Sequence, residues 1–426
     1  MKTLALWLTL FAAFGVYADS PPARPEVDAP ELAALGPHAV GVTTVDLVQP
    51  GQLNPLEGQA TAAPFDRSLT VRVWYPAATA NGTPITYRTA LPGPDTKPAE
   101  FTIPGIAIPA APALKGHFPL VILAHGASNT PEVMAWLAEN LATKGYVVAA
   151  PAFGDPPISE RAKLVFPVAR RPLDIAFVTA RARRLTPPFE NVDPDRVALV
   201  GYSMGAYGVV TAAGAPLHPG LAPVTRGALT HYVAGADKAR DIVVPNVKAV
   251  VAISPPIQLG PLTMWAPEGL AAIHVPTLLI VGSQDHVVGY DPGVRTIFEQ
   301  EVNAPRYLLT FQNAGHNIGM SGSPAEMQGR LWDKDWFEDP VWRKPRLMGI
   351  QAHFITAFLD RYVKGDATKA SYLDGLVPNS NDGTWASPPT DYGAISPGPP
   401  AATLWKGFQA SHAAGMTLEF RPAATR

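Results

Sequence analysis

The 426-residue sequence contains no cysteine, which excludes disulfides, thiol nucleophiles, iron–sulfur clusters and thiolate zinc sites together. Charge is scarce: Asp, Glu, Lys and Arg make up 16% of the chain, against a usual ~25%. The 33 basic and 35 acidic residues nearly cancel, and no Lys/Arg block occurs. A nucleic-acid surface needs a basic patch, so that class drops out. The apolar run Thr3 to Val16 is short of the ~20 residues of a membrane span, and no other stretch reaches that length. There is no H-E-x-x-H, paired His-x-His or carboxylate cluster, and no Gly-rich phosphate loop or dinucleotide fingerprint. Neither a metal nor another cofactor is therefore expected. No internal repeat is present.

Proline, by contrast, is abundant at 47 residues, about double the ~5% average. The prolines gather in residues 21–30, 92–119 and 378–400, which reads as long ordered coil. Met1-Lys2, the apolar run and the small residues of Val16-Tyr17-Ala18 form an export signal, with cleavage expected after Ala18. An uncleaved N-terminal anchor is the alternative. The expectation is a secreted or periplasmic protein beginning at Asp19, with no membrane span after cleavage. Without disulfides it must be held by its core, for which ~400 residues suffice.

Leu69 to Tyr75 alternates with period two, as a strand does. From about Gly116 the pattern becomes apolar runs separated by helix-length segments. Pro119–Ala124, Tyr146–Ala150, Arg196–Tyr202, Lys248–Ile253, Thr277–Val281 and Arg306–Phe311 read as strands. Pro131–Lys144, Arg171–Leu185, Met204–Ala213 and Ile350–Lys364 read as helices, the first and last stopped by Gly145 and Gly365. Alternating βα units with continuous Val/Ile/Leu strands imply an α/β fold, a mostly parallel sheet with helices on both faces. The expected organisation is a signal at 1–18, a Pro-rich arm at 19–40, a catalytic domain at 41–365 and a Pro/Gly-rich tail of surface coil at 366–426. Within the domain, 317–344 is longer than a minimal domain needs and carries Trp332, Trp336 and Trp342. It is either a surface excursion packed by its own aromatics or a rim or partial lid over an apolar pocket.

Gly201-Tyr202-Ser203-Met204-Gly205 fits G-x-S-x-G. The pentapeptide alone is a modest signal, but it follows a strand and opens a helix, the context a nucleophile elbow requires. A serine nucleophile needs a base, and the base needs an orienting acid. His316 lies just past the last predicted strand of the domain, and Asp285 just past the strand TLLIV. The order Ser203, Asp285, His316 is that of α/β-hydrolases. Asp155 also follows a strand on the same edge, but on the other side of the elbow, and reads better as a pocket wall. His286 reads as a surface histidine and His353, inside a helix, as a packed one. The oxyanion donors should be the N–H groups of Met204 and of Ala127, in the loop His125-Gly126-Ala127-Ser128. His125 reads as structural. Ser128, Tyr202 and Trp332 are the candidate substrate contacts.

These motifs, with Ser68 to Pro76 (SLTVRVWYP), Ala124-His125-Gly126 and Arg171-Pro172-Leu173-Asp174, resemble α/β-hydrolases of the dienelactone hydrolase-like group, nearest the platelet-activating-factor acetylhydrolase-like esterases. The likeness covers about residues 40–365. It implies Ser203 as nucleophile, His316 as base, and Ala127 and Met204 as oxyanion donors. In the acetylhydrolases the acid follows the strand after the elbow helix. Here that strand ends Ala252-Ile253-Ser254-Pro255-Pro256, without a carboxylate, so Asp285 must serve, as in dienelactone hydrolases and cutinase-like enzymes. The expectation is a serine hydrolase of carboxylic esters, acting on a small-molecule or polymeric ester. A polyester or aromatic-diester depolymerase, and an esterase-like binding protein without turnover, are the alternatives.

Overall fold

The apolar runs assemble, in a computed structural model, into one ten-stranded sheet with helices on both faces. The structure describes residues 25–57, 63–92, 98–385 and 403–424. The expected export signal at 1–18 lies outside them, as do residues 386–402 of the tail.

In chain order the strands are β1 (Ala39–Gln52), β2 (Phe65–Ala77), β3 (Thr86–Pro92), β4 (Pro98–Pro104), β5 (Ile108–Pro109), β6 (Phe118–Ala124), β7 (Val147–Pro151), β8 (Val192–Tyr202), β9 (Val247–Ile253), β10 (Gln258–Leu259), β11 (Leu262–Thr263), β12 (Thr277–Gly282), β13 (Arg306–Phe311) and β14 (Met416–Arg421). The main sheet runs β14-β13-β12-β9-β8-β6-β7-β2-β1-β5. Its middle, β7 through β13, is parallel. Antiparallel β2 and β1 close one side and antiparallel β14 the other. Strands β3 and β4 form a separate hairpin.

The helices are α1 (Ala135–Thr143), α2 (Val165–Ala182), α3 (Met204–Ala212), the short α4 (Leu221–Val224) and α5 (Pro267–Ala271), α6 (Arg295–Gln300), α7 (Leu331–Phe337) and α8 (Lys344–Tyr362). Alternation within each strand divides the core. Val121 and Leu123 of β6 pack with α1 and α8, whereas Leu120, Ile122 and Ala124 pack with α2 and α3. Burial on both faces is why these strands read as continuous apolar runs. This is the α/β-hydrolase architecture. Among the described residues no helix is long and apolar enough to cross a membrane.

Three sequence expectations need correction. The helix expected from Arg171 begins at Val165, with Pro172 inside it. Proline has no N–H for the carbonyl four residues back, and here the Tyr207 hydroxyl of α3 donates to that carbonyl, of Val168, at 3.0 Å. The Pro-rich stretch read as coil contains β4, half of a hairpin whose partner supplies the missing ladder. The tail is not all surface coil: β14 pairs along the whole of β13, and Phe420 stacks on Tyr307 at 4.7 Å.

Candidate active site

Strand β6 is followed by β7 on one side and β8 on the other. The chain thus opens a crevice at the carboxyl edge of the sheet where ligands of such folds bind. The turn from β8 into α3 ends in that crevice. Its middle residue, Ser203, has φ +53° and ψ −120°, a left-handed backbone that presents the side chain outward. The flanking glycines are sterically required. A Cβ on Gly201 would lie 2.4 Å from the Gly205 carbonyl oxygen, and one on Gly205 would lie 2.0 Å from that of Ala124. The Ser203 N–H donates to Ile253 O at 2.8 Å, anchoring the turn to β9.

Asp285 and His316 meet because the loops after β12 and β13 are joined. The Gln284 N–H donates to Ala314 O at 2.9 Å, and the Asn313 N–H donates to the Ser283 hydroxyl at 2.8 Å. Oδ1 of Asp285 accepts the N–H groups of Val287 and Val288 at 3.0 Å each. Its Oδ2 lies 2.8 Å from His316 Nδ1, and His316 Nε2 lies 3.0 Å from Ser203 Oγ. Burial opposes the charge on Asp285. The His316 bond and charge and the Val288 N–H outweigh it and hold the carboxyl below its ordinary pKa. An ionised acid at Nδ1 keeps the proton there and leaves Nε2 free to accept the hydroxyl proton.

Beside Ser203, neither the Met204 nor the Ala127 N–H has an acceptor among the described residues. The loop that carries Ala127 is held from behind. Burial and the Arg171 charge hold His125 well below its ordinary pKa. As a neutral ring it donates from Nδ1 to Gly126 O at 2.7 Å and accepts the Phe153 N–H at 3.3 Å. The fully buried Arg171 donates to Gly126 O at 3.0 Å and to Asp155 at 2.5 Å. Asp155 also takes the Ser128 N–H at 3.0 Å. It is therefore committed to this loop and to Arg171. Asp285 is the carboxylate bonded to His316.

A cavity of about 380 Å³ opens above Ser203 and His316, walled by Ala127, Ile158, Tyr202, Val287, Met320, Trp332 and Trp336, with Asn129, Asn317 and Asp335 as its polar points. Tyr202 sits at its base, and its hydroxyl donates to His316 O at 3.2 Å. Trp332 is half exposed at the mouth and tilts against Trp336 with centroids 6.0 Å apart. Ser128 is a correction: it is buried, donates to Pro156 O at 2.6 Å and does not line the cavity. Its hydroxyl ties the loop that carries Ala127 to Pro156. His286 is exposed, and His353 is buried in α8, where burial pushes its pKa down to about 3. Asn129 and Asn317 were missed from sequence. Each is close in the chain to a motif residue, and that adjacency was the available signal. Among the described residues no cluster of three His, Asp or Glu could hold a metal.

No family model and no curated protein matches the chain. Among matching solved structures is a ferulic acid esterase from Streptomyces cinnamoneus, with a TM-score of 0.54 and 19% identity, covering 79% of this chain and 94% of that one. At that identity the likeness bears on the fold.

Proposed function

We propose that the protein is a serine hydrolase of carboxylic esters, of the dienelactone hydrolase-like kind. One observation carries the reading: the continuous hydrogen-bond chain from Ser203 through His316 to an ionised Asp285, 3.0 and 2.8 Å long, at the floor of an apolar cavity. Ser203 Oγ attacks the ester carbonyl as His316 Nε2 takes its proton. Asp285 stabilises the imidazolium that forms. The carbonyl oxygen gains negative charge and receives the Met204 and Ala127 N–H groups, aided by the positive end of α3. His316 then returns the proton to the leaving alcohol, and water repeats the sequence on the acyl-enzyme. The similar fold of a ferulic acid esterase supports an ester as substrate.

The test is initial rates of the purified protein on p-nitrophenyl esters from acetate to dodecanoate, beside Ser203→Ala. A loss of ~10⁴–10⁶ in kcat is expected in the variant, and the chain-length optimum sizes the pocket. Equal rates in both proteins would overturn the serine mechanism. Labelling of Ser203 by a fluorophosphonate separates an enzyme from an idle binding protein of the same fold.

The mouth favours a second reading. Trp332 and Val287 are exposed there, an apolar rim suited to an aromatic polyester. Release of aromatic acid from an amorphous polyester film, absent with Ser203→Ala, would select it. Residues 1–18 propose export to the periplasm or beyond with cleavage after Ala18; a mature N-terminus at Asp19 would support it, and recovery of the protein in the cytoplasm with Met1 retained would overturn it.

A further inference from the structure

The catalytic steps proposed above make no use of the segment that leaves His316 and returns at α8, yet that segment is tied back to the histidine loop at several points. Asp339 is its first tie. Oδ2 accepts the Gly315 N–H at 2.7 Å, while Oδ1 accepts the N–H groups of Val341 and Trp342 at 2.9 and 2.8 Å. Lys344, the first residue of α8, is the second: its ammonium donates to the carbonyl of Asn317. The third is Asn317 Nδ2, which donates to Asp335 O at 2.5 Å. Gly315 and Asn317, the two neighbours of His316, are thus each held by a side chain of opposite charge. Both ions are buried, Asp339 at 8% and Lys344 at 3% exposure.

Packing stability does not by itself account for this arrangement. A cation in the first turn of a helix faces the positive end of the helix dipole, and a buried ion is seldom more stabilising than an apolar side chain of the same volume. Burial pushes the Lys344 pKa down to about 8, against Glu338 and Asp339, which favour its charge. The imidazole needs such support. Its direction is set by two side-chain torsions and by the backbone at 315–317, which begins with a glycine that is free to turn.

We infer that Asp339 and Lys344 are positioning residues that clamp the loop on either side of His316 and keep Nε2 aimed at Ser203, so that the excursion braces the base. The inference rests on the Ser203–His316–Asp285 reading. Asp339 and Lys344 touch neither substrate nor the reacting atoms. They act through the peptide planes that flank the histidine. A misplacement of about 1 Å at a catalytic group costs roughly 10²-fold.

The test compares kcat/KM on ethyl butyrate and p-nitrophenyl butyrate for the full-length wild type, Lys344→Met and Asp339→Asn. Methionine keeps the length of lysine without its charge. Asparagine leaves one carboxamide oxygen for the three N–H groups that Asp339 serves. Nitrophenolate departs without a proton, so its ester needs one well-aimed transfer by His316. Ethoxide must be protonated as it leaves, so its ester needs two. A loosened imidazole therefore lowers the ethyl ester rate more, and the nitrophenyl-to-ethyl ratio should rise about 5–10-fold in both variants. Partial unfolding lowers both rates by one factor and leaves the ratio unchanged, so the ratio isolates aim from fold. If one variant fails to fold, the other decides. An unchanged ratio, with Ser203→Ala inactive, would overturn the brace and leave the triad standing. Activity that survives in Ser203→Ala would remove the triad reading itself.

Discussion

Replacing Gly205 by alanine tests the geometry of the elbow with a single methyl group. Built on the existing backbone, that methyl would sit 2.0 Å from Ala124 O and 2.6 Å from His125 O. Even a tight contact needs 3.0–3.4 Å, so the end of β6 and the start of α3 must part by roughly 1 Å. Neither side can yield by rotating a side chain, because both surfaces are backbone. The two elements that separate carry the two expected oxyanion donors, Ala127 on the loop after β6 and Met204 on α3. Overpacking of this kind costs about 1–3 kcal/mol of stability. An error of about 1 Å at the oxyanion costs roughly 10²-fold in rate. The assay is kcat/KM on p-nitrophenyl butyrate, with thermal unfolding recorded on the same samples. Gly329→Ala is the control, since a Cβ there meets nothing within 4 Å. Gly205→Ala should lose about two orders of magnitude while still unfolding cooperatively. Retention of wild-type kcat/KM would refute both the steric argument and the assignment of the oxyanion donors.

Asp285→Asn should lower kcat by about 10³–10⁴ through loss of the tautomer that leaves Nε2 free. The folded pKa of Asp285 is depressed, so its contribution to stability is present at neutral pH and lost as pH falls through the carboxylate range. The gap in urea midpoint between wild type and variant should therefore narrow from pH 7 to pH 3, and a constant gap would contradict the linkage. Glu301 is the opposite case: among the described residues neither carboxylate oxygen has a hydrogen-bond partner, and burial pushes its pKa up to about 8, against the charge of Arg306. The folded state holds that proton while the unfolded chain releases it above 4.5, so stability declines as pH rises between those values. Glu301→Gln should therefore melt several degrees above wild type at pH 8 and alongside it at pH 4. Equal melting at pH 8 would show that Glu301 has an unrecognised partner. Trp332→Ala should cut kcat/KM about 10-fold for an ester of an aromatic acid, the value of one lost ring contact, and less than two-fold for an acetate. Equal losses on both would place Trp332 outside the acyl site.

What was legible in the sequence was whatever is encoded over a few residues. The parallel strands could be read because burial on both faces demands unbroken apolar runs, as in β6 and β12. The elbow could be read because two glycines around Ser203 are forced by contacts under 2.5 Å. The expectation for Asp285 and His316 followed from chain order at strand ends, a consequence of how βα units deliver loops to one edge.

Long-range pairing was not legible. β14 is six residues near the end of the chain, and its place beside β13 depends on a partner about a hundred residues earlier. Ser128 looked available because it follows Ala127, an expected oxyanion donor, and only the Pro156 carbonyl shows its hydroxyl to be taken. Asp155 and Asp285 each follow a strand on the same edge. The choice between them rests on a buried arginine for one and an imidazole for the other. The ions that flank His316 from Asp339 and Lys344 belong to the same class. Local sequence marks the elements whose burial or steric demands fall within a few residues, such as β6, β12 and the Ser203 turn. Which charges meet, and so which carboxylate faces the imidazole, is decided when the chain closes and water is excluded from between them.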